Sequence, residues 1–175
     1  MIIDEIYDVV DKDGNVLGQA TWTECHTKGL LHQNVHGLVF KDKNKKTMLI
    51  KKRSSSMVQE PSLWKVAVSG HMLTGTTPED QIRKEFGEEL WGLPDIPEKI
   101  EFRKVKRFLN HDIPKNFEVI HLFEIIFPGP FKFISGESEG LPIWVNVEDL
   151  LEDMNRNPKK YAKFTINTVK NYYRD

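Results

Sequence analysis

The chain has 175 residues, with 25 basic and 26 acidic side chains and a formal net charge of -1 at pH 7. Hydrophobic residues at 39% and charged residues at 29% are ordinary for one globular domain with a real core, which excludes disorder across the whole chain. The near-neutral balance excludes a global field that would gather nucleic acid polymers or anionic membrane, and the lone cysteine, Cys25, excludes a disulfide framework.

The N-terminus, Met1-Ile2-Ile3-Asp4-Glu5, lacks a basic n-region and a long apolar run, and no stretch approaches the roughly 18–20 apolar residues needed to span a bilayer. A soluble, cytoplasmic protein with no membrane partner is expected. Residues 5–22 read as an N-terminal hairpin: Ile6 to Val10, a turn at Asp13-Gly14, and a return arm from Val16 to Trp22. Glu24 to Gly29 reads as a polar stretch. Val35 to Phe40 and Met48 to Ile50 come next as strands around a lysine-rich turn, and Trp64 to Val68 as a third, ending at Ser69-Gly70.

A helix from Pro78 to Leu90 is well signalled. Thr77 suits the N-cap, Pro78 the first helical position and Asp80 the third, while Ile82, Phe86 and Leu90 form one apolar stripe. Gly92 and Pro94 should end it. Glu101 to Phe108 and Glu118 to Phe127 read as a strand pair around Asn110 to Asn116, and Pro128-Gly129-Pro130 as a break. A short strand near Ile143 to Val147 precedes C-terminal helices within 148–173, the last with Ala162, Ile166, Val169 and Tyr173 on one face. No repeat or linker divides the chain, so one domain spanning 1–175 is expected. The order of elements favours a mixed sheet packed with helices, an α+β arrangement.

Glu85, Glu88 and Glu89 carry the chemistry. At about 100° per residue they share one side of the helix, roughly 100° around from the apolar stripe. Three like charges at the edge of a buried face repel unless a cation compensates them, and a hard ion such as Mg2+ takes oxygen ligands together with substrate phosphates. A solvated acidic face is the competing reading. The loop Ser69 to Thr77, with Gly70 and Gly75, tips the balance, since it can bring backbone close to a phosphate at the helix start.

The run from Gly70 to Trp91 resembles the Nudix box: Gly, five residues, Glu, seven residues, Arg-Glu, an aliphatic, any residue, Glu-Glu, any residue, Gly. Gly70, Glu85, Glu88 and Glu89 fall in place. Thr76 replaces the first glutamate, Lys84 the arginine and Trp91 the closing glycine, with Gly92 one place late. The resemblance implies a Nudix fold, a mixed sheet between helices (α/β/α), with the box at 70–92. In that family the first glutamate and the arginine help brace the loop against the helix, so here the brace is either absent or rebuilt, with neighbouring Arg83 a candidate.

Across roughly Glu5 to Asn155 the pattern is most similar to the branch that contains type I isopentenyl-diphosphate isomerase and its hydrolase-like relatives. Asp8-Val9-Val10-Asp11, His26, Leu31-His32, Trp64 and Ser69-Gly70-His71 carry this likeness. It implies a second metal at His26, His32 and His71, aided by Glu118, where imidazoles suit Zn2+ or Mn2+. Ordinary polar loop histidines are the alternative. His36, His111 and His121 have no such support.

Isomerisation in that branch uses a cysteine and a glutamate across the alkene, and the cysteine position is Ser69. A hydroxyl donates a proton far less readily than a thiol of pKa about 8.5. Asn116 falls near a further metal glutamate of the isomerases. The resemblance therefore favours a Mg2+-dependent diphosphate hydrolase, with Mn2+ as an alternative metal and a small-molecule diphosphate, such as a nucleoside diphosphate derivative, as substrate. Glu88 or Glu118 would act as general base, and Arg53, Gly70 and Trp64 would contact substrate. Trp144 is a further pocket candidate, and a homodimer is consistent with the relatives. An isopentenyl-diphosphate isomerase-like enzyme and a non-catalytic Nudix-fold binding module are the rivals.

Overall fold

The computed structural model describes residues 4–92, 96–97, 99–131 and 138–174. Pro94, expected to help end the carboxylate helix, lies outside them.

β1 (Ile6–Val10) and β2 (Val16–Thr21) pair antiparallel, forming the expected hairpin. Asp11 Oδ1 accepts the amides of Asp13 and Asn15 at 2.9 Å each, and Gly14 takes a φ of 93°, which a side chain would strain. The stretch expected to be polar loop is instead a helix, α1 (Trp22–Lys28). Its signals are local: Thr21 and Glu24 form a reciprocal capping box, and Gly29 closes it in the left-handed conformation. Seven residues are too few to show a clear apolar period, so the caps alone announce it.

β3 (His32–Phe40) is the centre of the molecule. It pairs in parallel with β8 (Asn116–Ile126), from His32 opposite Glu118 to Phe40 opposite Ile126. It also pairs antiparallel with β6 (Val68–His71), His36 facing Ser69 and Asn34 facing His71. Single pairs tie it to β1 and to β4 (Thr47–Lys52). β5 (Trp64–Val66) and β9 (Ile143–Asn146) flank β4, and β7 (Glu101–Ile113) flanks β8. The loop expected at Asn110 to Asn116 shrinks to a turn at Pro114-Lys115 because both strands run longer than their apolar cores suggest.

Alternation along β3 sends Val35 and Val39 to one face, with Ile82, Phe86 and Leu90, and Leu38 and Phe40 to the other. The first face is covered by α2 (Pro78–Phe86), capped as expected by Thr77, whose hydroxyl accepts the Asp80 amide at 3.1 Å. The second is covered by α3 (Val147–Arg156) and α4 (Lys163–Tyr173). This is the expected mixed sheet between helices. Burying each of Ile82, Phe86 and Leu90 contributes roughly 1.5–3 kcal/mol.

Two helix expectations change. The helix carrying the carboxylates is α-helical only to Phe86, and Gly87–Trp91 continues it as a π-turn closed by Gly92 N–H to Gly87 O at 2.8 Å. On α4, Tyr173 is 41% exposed, while Thr165 and Thr168 are buried. Thr165 accepts the Val66 amide at 3.1 Å and Thr168 meets His36 at 2.6 Å, so hydroxyls that bond the sheet displace the purely apolar stripe. Among the described residues, no helix is long and apolar enough to cross a membrane.

Candidate functional site

A cleft of about 410 Å³ opens where β3, β6 and β8 meet α2. Strand pairing sets its floor: Asn34 and His36 from β3, Ser69, Gly70 and His71 from β6, Asn116 and Glu118 from β8. Lys84, Glu85 and Glu88 form the helical wall, and residues 56–60 with Arg53 form the opposite lip.

His26, His32 and His71 come together with ligand nitrogens all within 4.8 Å of one another. His26 Nδ1 lies 2.8 Å from Trp22 O and His32 Nδ1 2.9 Å from Leu30 O. A carbonyl can only accept, so each Nδ1 carries the proton and each Nε2 keeps its lone pair, the arrangement metal-bound histidines use. His32 Nε2 and His71 Nε2 are buried without a hydrogen-bond partner. Glu118 Oε1 stands 3.4 Å from His71 Nε2 and 4.0 Å from His32 Nε2. Tyr7 stacks on His71 and His32, with centroids 5.0 and 5.8 Å apart. Burial lowers His26 and pushes His32 down to about 4, so these rings are neutral at pH 7, as ligands must be. The orphaned nitrogens and adjacent carboxylate fit a transition metal.

Glu118 is itself held by amides. Asn34 Nδ2 donates to Oε1 at 2.8 Å and Asn110 Nδ2 to Oε2 at 3.1 Å. Burial opposes its charge, but the His71 contact and the neighbouring imidazoles outweigh that and hold its carboxyl well below the usual range. Because His32 and His36 are largely neutral at pH 7, the amides are the donors that act there at every pH.

The three glutamates are not gathered into one cluster; among the described residues only the histidines are. Glu85 is 9% exposed and presses on Gly70, where any Cβ would overlap its carboxyl group. Gln81 Nε2 donates to Glu85 Oε1 at 2.7 Å, yet burial still pushes the Glu85 carboxyl up to about 7. Glu88 lines the cleft beside Lys84, 2.7 Å away. Glu89 is absent from the cleft lining and lies between Lys51 and Lys65, the latter 3.1 Å away. The 100° arithmetic ends at Phe86, and the wider π-turn re-aims the side chains beyond it. Glu85 and Glu88 face the cleft, where a hard cation would meet a ligand's oxygens, while the Glu89 carboxylate is directed to the two lysines.

Of the two alternatives for the brace, a rebuilt one is present, but Arg83 does not supply it. Arg83 stacks on Phe102, 4.6 Å from the ring centroid. Thr76 Oγ1 bonds Leu73 O at 2.7 Å and Gln81 Oε1 at 3.2 Å, and Gln81 passes the connection on to Glu85. Gln81 lies four residues before Glu85, a spacing that would have revealed it.

Of the expected substrate contacts, Gly70 and Arg53 line the cleft. Arg53 also donates to Gln59 O and Glu60 O at 2.9–3.2 Å, so it shapes the lip as well. Trp64 does not line it; its place on β5 turns it toward the core beneath α3 and α4. Trp144 packs at the edge of the opposite core. Cys25 is buried behind Tyr7 and does not itself line the cleft, and burial raises its thiol to about 11. His36, with no assigned role, lines the cleft, and His121 bonds Gln33 at 2.8 Å.

A family model for the NUDIX domain matches residues 30–165. The chain is 32% identical over 163 residues to isopentenyl-diphosphate Delta-isomerase 2 of Photorhabdus laumondii, covering 91% of this chain and 88% of that one. It is 25% identical to the isopentenyl-diphosphate Delta-isomerase of Serratia proteamaculans, over 96% and 91%. Among solved structures, DR0079 of Deinococcus radiodurans superposes with a TM-score of 0.79 at 20% identity, covering 97% of this chain and all of that one. A MutT NUDIX hydrolase of Burkholderia pseudomallei gives 0.59 at 14% identity, over 80% and 96%. These two structural likenesses concern the fold.

Proposed function

This chain belongs to the Nudix family, and from that premise we propose that it is a metal-dependent hydrolase of a small organic diphosphate, nucleoside diphosphate derivatives foremost. The observation that carries the reading is Glu85, buried against Gly70 in the cleft wall with Glu88 beside it. A carboxyl kept near neutrality by burial gains most from a cation that arrives with its ligand.

Glu85 and Glu88 would hold Mg2+ or Mn2+, and His26, His32 and His71 with Glu118 a transition metal. When bound, such ions supply charge neutralisation of the diphosphate and Lewis acidity at phosphorus. The chain's own groups do the rest. Gly70 makes room for the Glu85 carboxyl in the cleft wall, and residues 56–60, held by Arg53, shape the opposite lip. Of the two candidate bases, Glu88 is the one we assign to take the proton of the attacking water. Glu118 is buried with both oxygens accepting amide hydrogens, whereas Glu88 is 37% exposed on the cleft wall and open to water. Glu118 instead positions the histidines.

Phosphate or AMP release tests this, measured over nucleoside diphosphate sugars, dinucleotides, nucleoside triphosphates and isopentenyl diphosphate with Mg2+ or Mn2+. Release from at least one class, abolished by Glu88→Gln, is expected; silence across all classes overturns the proposal.

A second reading, isomerisation of an isoprenoid diphosphate, is favoured by the histidine cluster and by the near full-length likeness to two named isomerases. Ser69 weighs against it: the cleft offers a hydroxyl there, and Cys25 is elsewhere. The reading predicts uptake of solvent hydrogen into an allylic product with its diphosphate intact.

A further inference from the structure

Lys51 and Lys65 are 1% and 2% exposed, and they sit directly opposite one another across β4 and β5. Two like charges facing each other on adjacent strands destabilise a sheet, and an ammonium taken out of water needs a charged partner. Glu89 supplies it to both: one carboxylate oxygen meets Lys51 and the other Lys65. The π-turn Gly87–Trp91 delivers that carboxylate to the strands rather than to the cleft. Lys65 does line the cleft.

We propose that Lys51 and Lys65 act as built-in cations in the place of a metal ion at Glu89, so that Glu89 is their counter-ion and Lys65 presents positive charge to an anionic group of the ligand. A divalent ion at Glu89 would stand beside two ammonium groups and be repelled by both. Lys65, in the cleft lining and electrostatically coupled to Glu85, places an ammonium on the wall where a ligand's negative charge would lie. That this anion is a diphosphate rests on the hydrolase reading; the displacement of metal from Glu89 does not.

Two measurements decide it. The first is Mn2+ binding followed by electron paramagnetic resonance, with stoichiometric Zn2+ present to fill the histidines. Glu89→Gln should keep wild-type affinity within about twofold, and Lys51→Met/Lys65→Met should tighten it by about tenfold because Glu89 is released. A loss of about tenfold or more in Glu89→Gln would overturn the proposal. If Glu89→Gln alone fails to fold, the triple variant with both lysines as Met removes all three charges and carries the same comparison. The second is calorimetric binding of inorganic diphosphate in EDTA. Wild type should bind, and Lys65→Met should weaken binding by about tenfold or more. Equal affinity, or no wild-type binding without metal, would refute the role of Lys65 toward anions. A failure of the hydrolase reading shows as absent turnover and leaves the Mn2+ result standing.

Discussion

The Glu85 carboxylate rests on the backbone of Gly70, leaving no room for a side chain at residue 70. Gly70→Ala must therefore push Glu85 away from the cleft wall. Displacements near 1 Å at a catalytic group cost roughly 100-fold, so turnover should fall by about that factor. Circular dichroism should stay native, because β6 keeps its pairing with β3. Unchanged turnover would separate Glu85 from the chemistry.

The same carboxyl gives a pH signature in metal-free protein. Burial raises it from 4.5 to about 7, with Lys84 and Lys65 opposing and Glu88 reinforcing. The folded state then keeps a proton that the unfolded chain releases. The resulting penalty is absent below about 4.5, grows as pH rises and is complete above about 7, reaching roughly 3 kcal/mol. The buried histidines, lowered to about 4, make stability rise with pH over part of the same window, so urea unfolding in EDTA should show the Glu85 penalty as wild type falling behind Glu85→Gln as pH rises from about 4.5 to about 7. The histidines titrate alike in both proteins, so a constant difference between them across that range would contradict the raised Glu85 carboxyl.

The buried charges on β4 and β5 predict a different loss. Glu89→Gln leaves two ammonium groups without their carboxylate and should cost about 3 kcal/mol. Replacing both lysines by Met in the same chain should recover most of it. Chemical denaturation of the single and triple variants measures both numbers.

The histidines predict metal content. Protein purified without chelator and dialysed should retain a transition metal by mass spectrometry, and His32→Ala should lose it. The same substitution removes a ring packed at 0% exposure, so its thermal midpoint should fall too. Gln81→Leu, which cuts the link to Glu85 without touching a histidine, should leave the content unchanged.

Much of this is legible in the sequence. Thr77, Pro78 and the Ile82, Phe86, Leu90 stripe locate α2, and the likeness at His26, His32 and His71 anticipates a cluster that three separate elements assemble. The parts that escape have physical causes. α1 is shorter than two apolar periods and shows only through its caps. The π-turn has no periodic signature in five residues, so Glu89 reads as a cleft residue when it belongs to the strands. Lys51 and Lys65 carry no signal in the sequence, because their burial depends on a cross-strand register that the sequence does not state. Trp64 obeys the same logic in reverse, its face being set by which side of β5 meets the core.

Whether bond cleavage or proton relocation is the chemistry can be read in one experiment: phosphorus and deuterium NMR of the protein with Mg2+ in D2O, offered isopentenyl diphosphate and a panel of nucleoside diphosphate derivatives. The account predicts new phosphorus resonances from a split diphosphate and no deuterium in any allylic product. A deuterated allylic diphosphate with its phosphorus signals intact would contradict it.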